Sequence, residues 1–295
     1  MLTRESRVDV GEVTLAVTEA GPEDGPVVLL LHGFPDSRHL WRHQVAALAT
    51  AGHRVLAPDL RGYGDSDRPE QVGDYAMRHL LADVTGLLDA TGVERAAVVG
   101  HDWGAVLAWA FAAARPERVD RLVAVSVGHP AARRGAGLAQ QLKGAYVPVF
   151  LVPGLAERLL PAGGWFWLRR LAWRGADPAD TPDLARQVAD LSRPGALTAA
   201  LSWYRANISL RRRRTASAPV PATAPGRTDR ARRAITCPVL GVWSSQDPAL
   251  TEAQMRRSSR FVDGPWRYER IEGAGHWVPV EAPEELSTLL LDYLS

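Results

Sequence analysis

The sequence predicts an α/β fold: a mostly parallel central sheet with helices on both faces, and a helical cap inserted late in the sheet. Short apolar runs alternate with helical stretches from Val27 to Val127, the pattern of buried strands joined by crossover helices. The alternation then stops, and residues 129–234 hold helical patches and many aromatics but no convincing strand. It resumes at Gly241-Val242-Trp243. These observations assign residues 1–128 and 235–295 to the core and 129–234 to the cap. A chain of 295 residues with 46% hydrophobic content suits one large domain carrying a lid better than two equal domains.

In chain order, Val8-Asp9-Val10 and Val13 to Thr18 read as an opening strand pair turning at Gly11. Val27 to Leu31 is a strand covered on both faces, followed by His32-Gly33-Phe34-Pro35-Asp36-Ser37 and a helical stretch to about Ala51. Arg54 to Ala57 is a strand, Pro58 to Asp67 a loop, and Met77 to Thr91 a helix. Ala96 to Val99, Val119 to Val127 and Trp266 to Ile271 are strands, and Pro283 to Leu294 is a closing helix. Arg211 to Arg214 and the Ala/Pro/Thr-rich tract after them read as a mobile segment near 211–230.

Composition narrows the function. A net charge of +2 argues for no nucleic-acid or other polyanionic partner. Lys143 is the only lysine, which reads as a codon bias, and Cys237 is the only cysteine, so no intrachain disulfide forms and a reducing cytoplasm is the default. The first residues carry charges without an apolar stretch behind them, and no apolar run approaches a membrane span. A soluble protein with no membrane association is expected. The histidines do not cluster with carboxylates at ligand spacing, so neither a metal nor another cofactor is expected.

The chemistry is concentrated at Gly100-His101-Asp102-Trp103-Gly104, between a strand and a helix. Strand, tight turn and helix form a nucleophile elbow, which lifts its middle side chain above the sheet. A carboxylate there is suited to attack saturated carbon and form an alkyl ester with the enzyme. Asp247 lies just past a strand in Val242 to Pro248, and His276 in the glycine-rich loop Gly273 to Trp277. Ser126 to His129, at the tip of the strand before the cap, offers no acid, which leaves Asp247 to orient His276. His276 can then deprotonate the water that resolves the ester, with the backbone N–H groups of Trp103 and Phe34 as the oxyanion hole. Gly33 allows close approach there, and Pro35 is a candidate for a cis peptide. Trp103, Phe34 and His32 are the expected substrate contacts, with His101 and His129 in supporting roles.

Together HGFPDS (His32 to Ser37), DLRGYGDSD (Asp59 to Asp67), GHDWG, WSSQD and GAGHW resemble the epoxide hydrolase branch of the α/β-hydrolase fold, over most of the chain. Asp102, then Asp247, then His276 matches that fold's order of nucleophile, acid and histidine. The resemblance implies conversion of a small apolar epoxide and water to a diol. Haloalkane dehalogenases share most of the core motifs, with Trp103 then serving halide, and a catalytically silent ligand-binding protein on this fold is the alternative of another class.

The cap separates the two enzymes. An opened epoxide is an alkoxide that needs a proton, and tyrosine can supply it while staying protonated at neutral pH. Epoxide hydrolases carry two cap tyrosines. One precedes a segment ending in F-Q-x-P-G and the other sits in W-Y-R, which puts Tyr146 and Tyr204 in those positions. Leu151 stands where the family has glutamine, and Pro148 enters the same segment. Trp165, Phe166, Trp167 and Trp173 are candidates to wall an apolar pocket.

Overall fold

Eight strands form one sheet in the computed structural model, which describes residues 3–133, 137–171, 173, 181–208 and 235–295. They are β1 (Thr3–Asp9), β2 (Thr14–Ala20), β3 (Val27–Leu31), β4 (Arg54–Pro58), β5 (Ala96–His101), β6 (Val119–Val125), β7 (Val239–Ser244) and β8 (Trp266–Ile271). Their spatial order is β1-β2-β4-β3-β5-β6-β7-β8. β2 is antiparallel to β1 and β4, and every other neighbouring pair is parallel.

Side-chain alternation along β3 sorts the core into two layers. Leu29 and Leu31 face α2 (Met77–Ala90) and α3 (Trp103–Ala114), beside Leu87, Leu107 and Phe111. Val28 and Leu30 face the other side, beside Trp41 and Leu48, the latter on α1 (Arg42–Thr50). The chain's two edges differ from this centre. β1 carries Arg4, Glu5 and Arg7, and β8 carries Arg267, Glu269 and Arg270.

Between β6 and β7 the described residues hold six helices: α4 (Gly137–Lys143), α5 (Val147–Leu151), α6 (Leu155–Leu159), α7 (Ala162–Leu171), α8 (Pro182–Leu191) and α9 (Ala196–Asn207). α10 (Glu252–Arg257), α11 (Val278–Glu281) and α12 (Pro283–Leu294) complete the chain. The insertion is fastened to the core by buried polar contacts. Trp203, fully buried, donates its indole N–H to the Arg61 carbonyl at 3.1 Å, and Asn207 both accepts from the Met77 N–H and donates to the Tyr75 carbonyl, each at 2.8 Å.

Several bounds differ from the sequence reading. β1 begins at Thr3, because the ladder with β2 runs Thr3 to Ala20 through Asp9 to Thr14 whatever the polarity of its side chains. β6 ends at Val125, since Ser126 takes a left-handed φ of 68° that turns the chain. The helix expected up to Ala51 is a 3-10 turn, Arg38–Trp41, before α1. The short α10 gave too little periodicity to be read. The Arg211–Arg214 tract and the segment near 211–230 lie outside the described residues.

Candidate active site

Asp102 links β5 to α3 with φ 52° and ψ −119°, a backbone conformation that costs a non-glycine residue roughly 1–3 kcal/mol. The glycines beside it serve close approach. A Cβ on Gly104 would sit 2.0 Å from the Leu31 carbonyl oxygen, and one on Gly100 would sit 2.3 Å from the Gly104 carbonyl oxygen. The elbow thus presses against β3, and the carboxylate stands at the amino end of α3, where the helix dipole favours negative charge.

Oδ1 of Asp102 accepts the Phe34 N–H at 2.9 Å, and the Trp103 N–H also bonds this carboxyl. Gly33 is needed here, since a Cβ would lie 2.5 Å from that same oxygen. The Phe34–Pro35 peptide is cis. Nε2 of His276 lies 3.6 Å from Oδ2 of Asp102. Its Nδ1 is 2.9 Å from Oδ2 of Asp247, whose Oδ1 accepts the N–H groups of Ala249 (2.7 Å) and Leu250 (2.9 Å).

Charge follows from this geometry. Burial alone would raise the Asp102 pKa, but the hydrogen bond and charge of His276 hold it below the usual carboxylate range. Burial would likewise lower His276, yet the Asp247 charge and the Asp102 contact carry it well above its ordinary value. The resting site is therefore an imidazolium between two carboxylates.

Tyr146, just before α5, and Tyr204, on α9, line a cavity of about 130 Å³ together with Asp102 and His276. Tyr204 packs edge-on against Trp103, and Phe150 packs edge-on against both tyrosines. Burial and then neighbouring charge, including that of Asp102, raise both phenols, so both stay protonated. Pro148 does not displace Tyr146. It falls in the first turn of α5, where the missing N–H costs no helical bond.

A second cavity of about 350 Å³ opens on the same Asp102, Tyr146 and Tyr204, with Trp103, Val106 and Ile208 in its wall. Of the four aromatics singled out from the insertion, Trp167 lines the first cavity. Trp173 stacks on Trp277 at 4.4 Å, Trp165 is buried, and Phe166 is half exposed.

One expected substrate contact is not at the cavity. His32 is fully buried, with Nδ1 3.0 Å from the Gly33 carbonyl oxygen and Nε2 accepting the Leu60 N–H at 3.0 Å. Both ring nitrogens are spent on the two loops flanking β3 and β4. Phe34 and Trp103 do line the cavities. His101, held neutral by burial with a pKa of about 4, donates from Nε2 to the His276 carbonyl at 2.8 Å. His129 packs away from the site, stacked on Phe261.

Two residues escaped the sequence reading. Asp36 is buried beside the base loop, and its Oδ2 accepts the Trp277 indole N–H (2.6 Å) and the Gln187 amide (3.0 Å). Burial outweighs these neutral donors and raises its pKa to about 7. Lys143 lines the first cavity and donates to carbonyls of the Asp247 loop. The only advance sign was the rarity of lysine.

Comparison with known proteins gives a consistent set. The alpha/beta hydrolase fold family matches residues 26–283. Epoxide hydrolase A of Mycobacterium tuberculosis is 36% identical, covering 99% of this chain and 97% of its own. AB hydrolase superfamily protein YfhM of Bacillus subtilis is 34% identical, covering 97% and 96%. Among solved structures, one of the epoxide hydrolases from metagenomes of hot environments superposes with a TM-score of 0.83 at 29% identity, over 100% of this chain and 99% of its own. Epoxide hydrolase A from Mycobacterium thermoresistibile gives 0.77 at 30%, over 99% and 98%.

Proposed function

The chain belongs to the epoxide hydrolase branch of the α/β-hydrolase fold family, and we propose that it converts an apolar epoxide to a vicinal diol through an ester on Asp102, with α4–α9 as the cap of residues 129–234. The observation that carries the reading is the meeting of two protonated phenols, Tyr146 and Tyr204, with the Asp102 carboxylate in one cavity. Halide would need no such acids, and the Trp103 ring that could grip it is packed edge-on against Trp203 and Tyr204.

Oδ1 of Asp102 is held by the Phe34 N–H, so Oδ2 is the attacking oxygen. It bonds to one epoxide carbon while the carbon–oxygen bond breaks, and the alkoxide takes a proton from Tyr146 or Tyr204. Esterification removes the Asp102 charge, one of the two that hold His276 protonated. The imidazolium proton then restores the tyrosine, and the neutral imidazole can act as base. It takes a proton from water, which attacks the ester carbonyl carbon. The oxyanion forms on Oδ1, between the N–H groups of Phe34 and Trp103. Collapse expels the diol oxygen, which takes the proton back from His276; Asp102 keeps the oxygen from water, and the second water proton passes to His276, restoring carboxylate and imidazolium.

Replacement of the base tests the sequence of steps. His276→Gln should alkylate with an apolar epoxide and stall, so that the intact protein gains the mass of one epoxide on Asp102. Mass spectrometry after a single turnover reads it. No adduct on His276→Gln, with diol formation undiminished, would exclude the two-step reading.

A further inference from the structure

One short piece of the cap grips the loop that carries Asp247. Gln140 and Lys143 lie three residues apart on α4, hence on one face of it. The Gln140 amide, 3% exposed, donates to the Ala249 carbonyl at 3.1 Å and accepts from the Thr251 N–H (3.0 Å) and hydroxyl (2.9 Å). The Lys143 ammonium donates to the carbonyl of Asp247 and to that of Leu250, the latter at 3.0 Å. The same turn closes on itself, because Oδ1 of Asp247 accepts the N–H groups of Ala249 and Leu250. Lysine therefore fixes the carbonyl side of a turn whose amide side fixes the carboxylate. The other carboxylate oxygen holds His276.

We propose that Lys143 is a positioning residue for hydrolysis of the ester: by pinning the Asp247 and Leu250 carbonyls it keeps Asp247 aimed at His276. The proposal rests on His276 and Asp247 resolving an ester on Asp102. A compact ammonium on a flexible stem suits two carbonyls of one turn better than a planar group does. Without it the carbonyls lose their donor and the loop is free to shift. Tyr146 follows Lys143 by three residues, so one stretch of cap carries an acid for the first step and the clamp for the second. The cap must then be seated for both steps.

Single-turnover experiments with an apolar epoxide, quenched and read by mass spectrometry, separate ester formation from its breakdown. Lys143→Met should break the ester down roughly 10-fold more slowly, the scale of a small misplacement of a catalytic group, and should slow ester formation by much less than it slows breakdown. Lys143→Arg should recover breakdown to within about threefold. In combination with Asp247→Asn, Lys143→Met should add no further slowing, since it acts through Asp247. Breakdown at the parent rate in Lys143→Met, or two effects that multiply in full, overturns the proposal. If Lys143→Met does not fold, reductive dimethylation of the folded parent replaces it, because Lys143 is the only side-chain amine. The dimethylated ammonium keeps its charge but only one N–H for the two carbonyls, so breakdown should slow, less than in Lys143→Met, and an unchanged rate overturns the proposal. A parent that forms no ester at all would instead remove the reading on which the proposal rests.

Discussion

At the scale of single residues, the site is built from groups whose charge is set by what burial leaves beside them. Tyr204 packs edge-on against Phe34 at 5.6 Å and Trp103 at 5.0 Å between ring centroids, so its hydroxyl has little freedom to leave the cavity. Tyr204→Phe and Tyr146→Phe should each slow epoxide opening roughly 10–100-fold, as expected for losing one of two partly interchangeable acids. The double change should nearly abolish opening, yet leave breakdown of a preformed ester close to parental. Stopped-flow measurement of the two phases checks this, and opening at the parent rate in the double variant would remove both tyrosines from the mechanism. That Asp102, Asp247 and His276 would come together was legible in the sequence because glycines and strand ends mark their loops. Asp36 was not, since its donors lie 151 and 241 residues away, and no local pattern encodes such contacts. His32 was misread for a related reason: nearness in sequence to Phe34 says nothing about which way a ring faces.

At the scale of elements, the elbow depends on how tightly α3 is drawn against β3. The Leu31 carbonyl that a Gly104 Cβ would meet is backbone and cannot rotate away. Gly104→Ala should therefore destabilise the protein by about 3 kcal/mol or more, at the upper end of overpacking. Gly92→Ala is the control. Gly92 has φ +69° and nothing within 4 Å of its Cβ position, so strain alone costs about 1–2 kcal/mol. Urea denaturation ranks the two, and equal costs would show that close approach does not govern the elbow. Strands buried on both faces were readable as apolar runs; β1 was read only from Val8, and α10 not at all. Pairing partners hold the polar strand, and α10 is too short to show a period.

At the scale of the whole molecule, core and cap are joined through groups that also touch the site. Asp36 takes one donor from α8 and one from Trp277, next to His276, while Arg42 of the core clasps Asp183 of α8 at 2.8 and 2.9 Å. Beyond burial and its two donors, Asp183 raises the Asp36 pKa and His276 lowers it. With a folded pKa of about 7 and an unfolded value near ~3.9, the folded state binds the proton more tightly. That contribution to stability is complete below pH ~4 and is lost as pH rises to about 7, on the order of 4 kcal/mol. Asp36→Asn keeps an acceptor for both donors without the titration. It should be more stable than the parent at pH 8 and should flatten the fall between pH 5 and pH 8. Equal slopes in chemical denaturation would place that titration elsewhere.

The charged edges of the sheet bear on how copies of the protein meet. Strand addition along β1 or β8 would bring Arg4, Glu5 and Arg7, or Arg267, Glu269 and Arg270, against their own kind, an arrangement that disfavours edge-to-edge growth into fibrils. The cap is less guarded. Leu138 and Leu142 are about three-quarters exposed on α4, and Phe166 and Trp167 are half exposed on α7. Among the described residues, these are the apolar side chains on which self-association of the native protein would begin, and Trp167 among them also lines the first cavity.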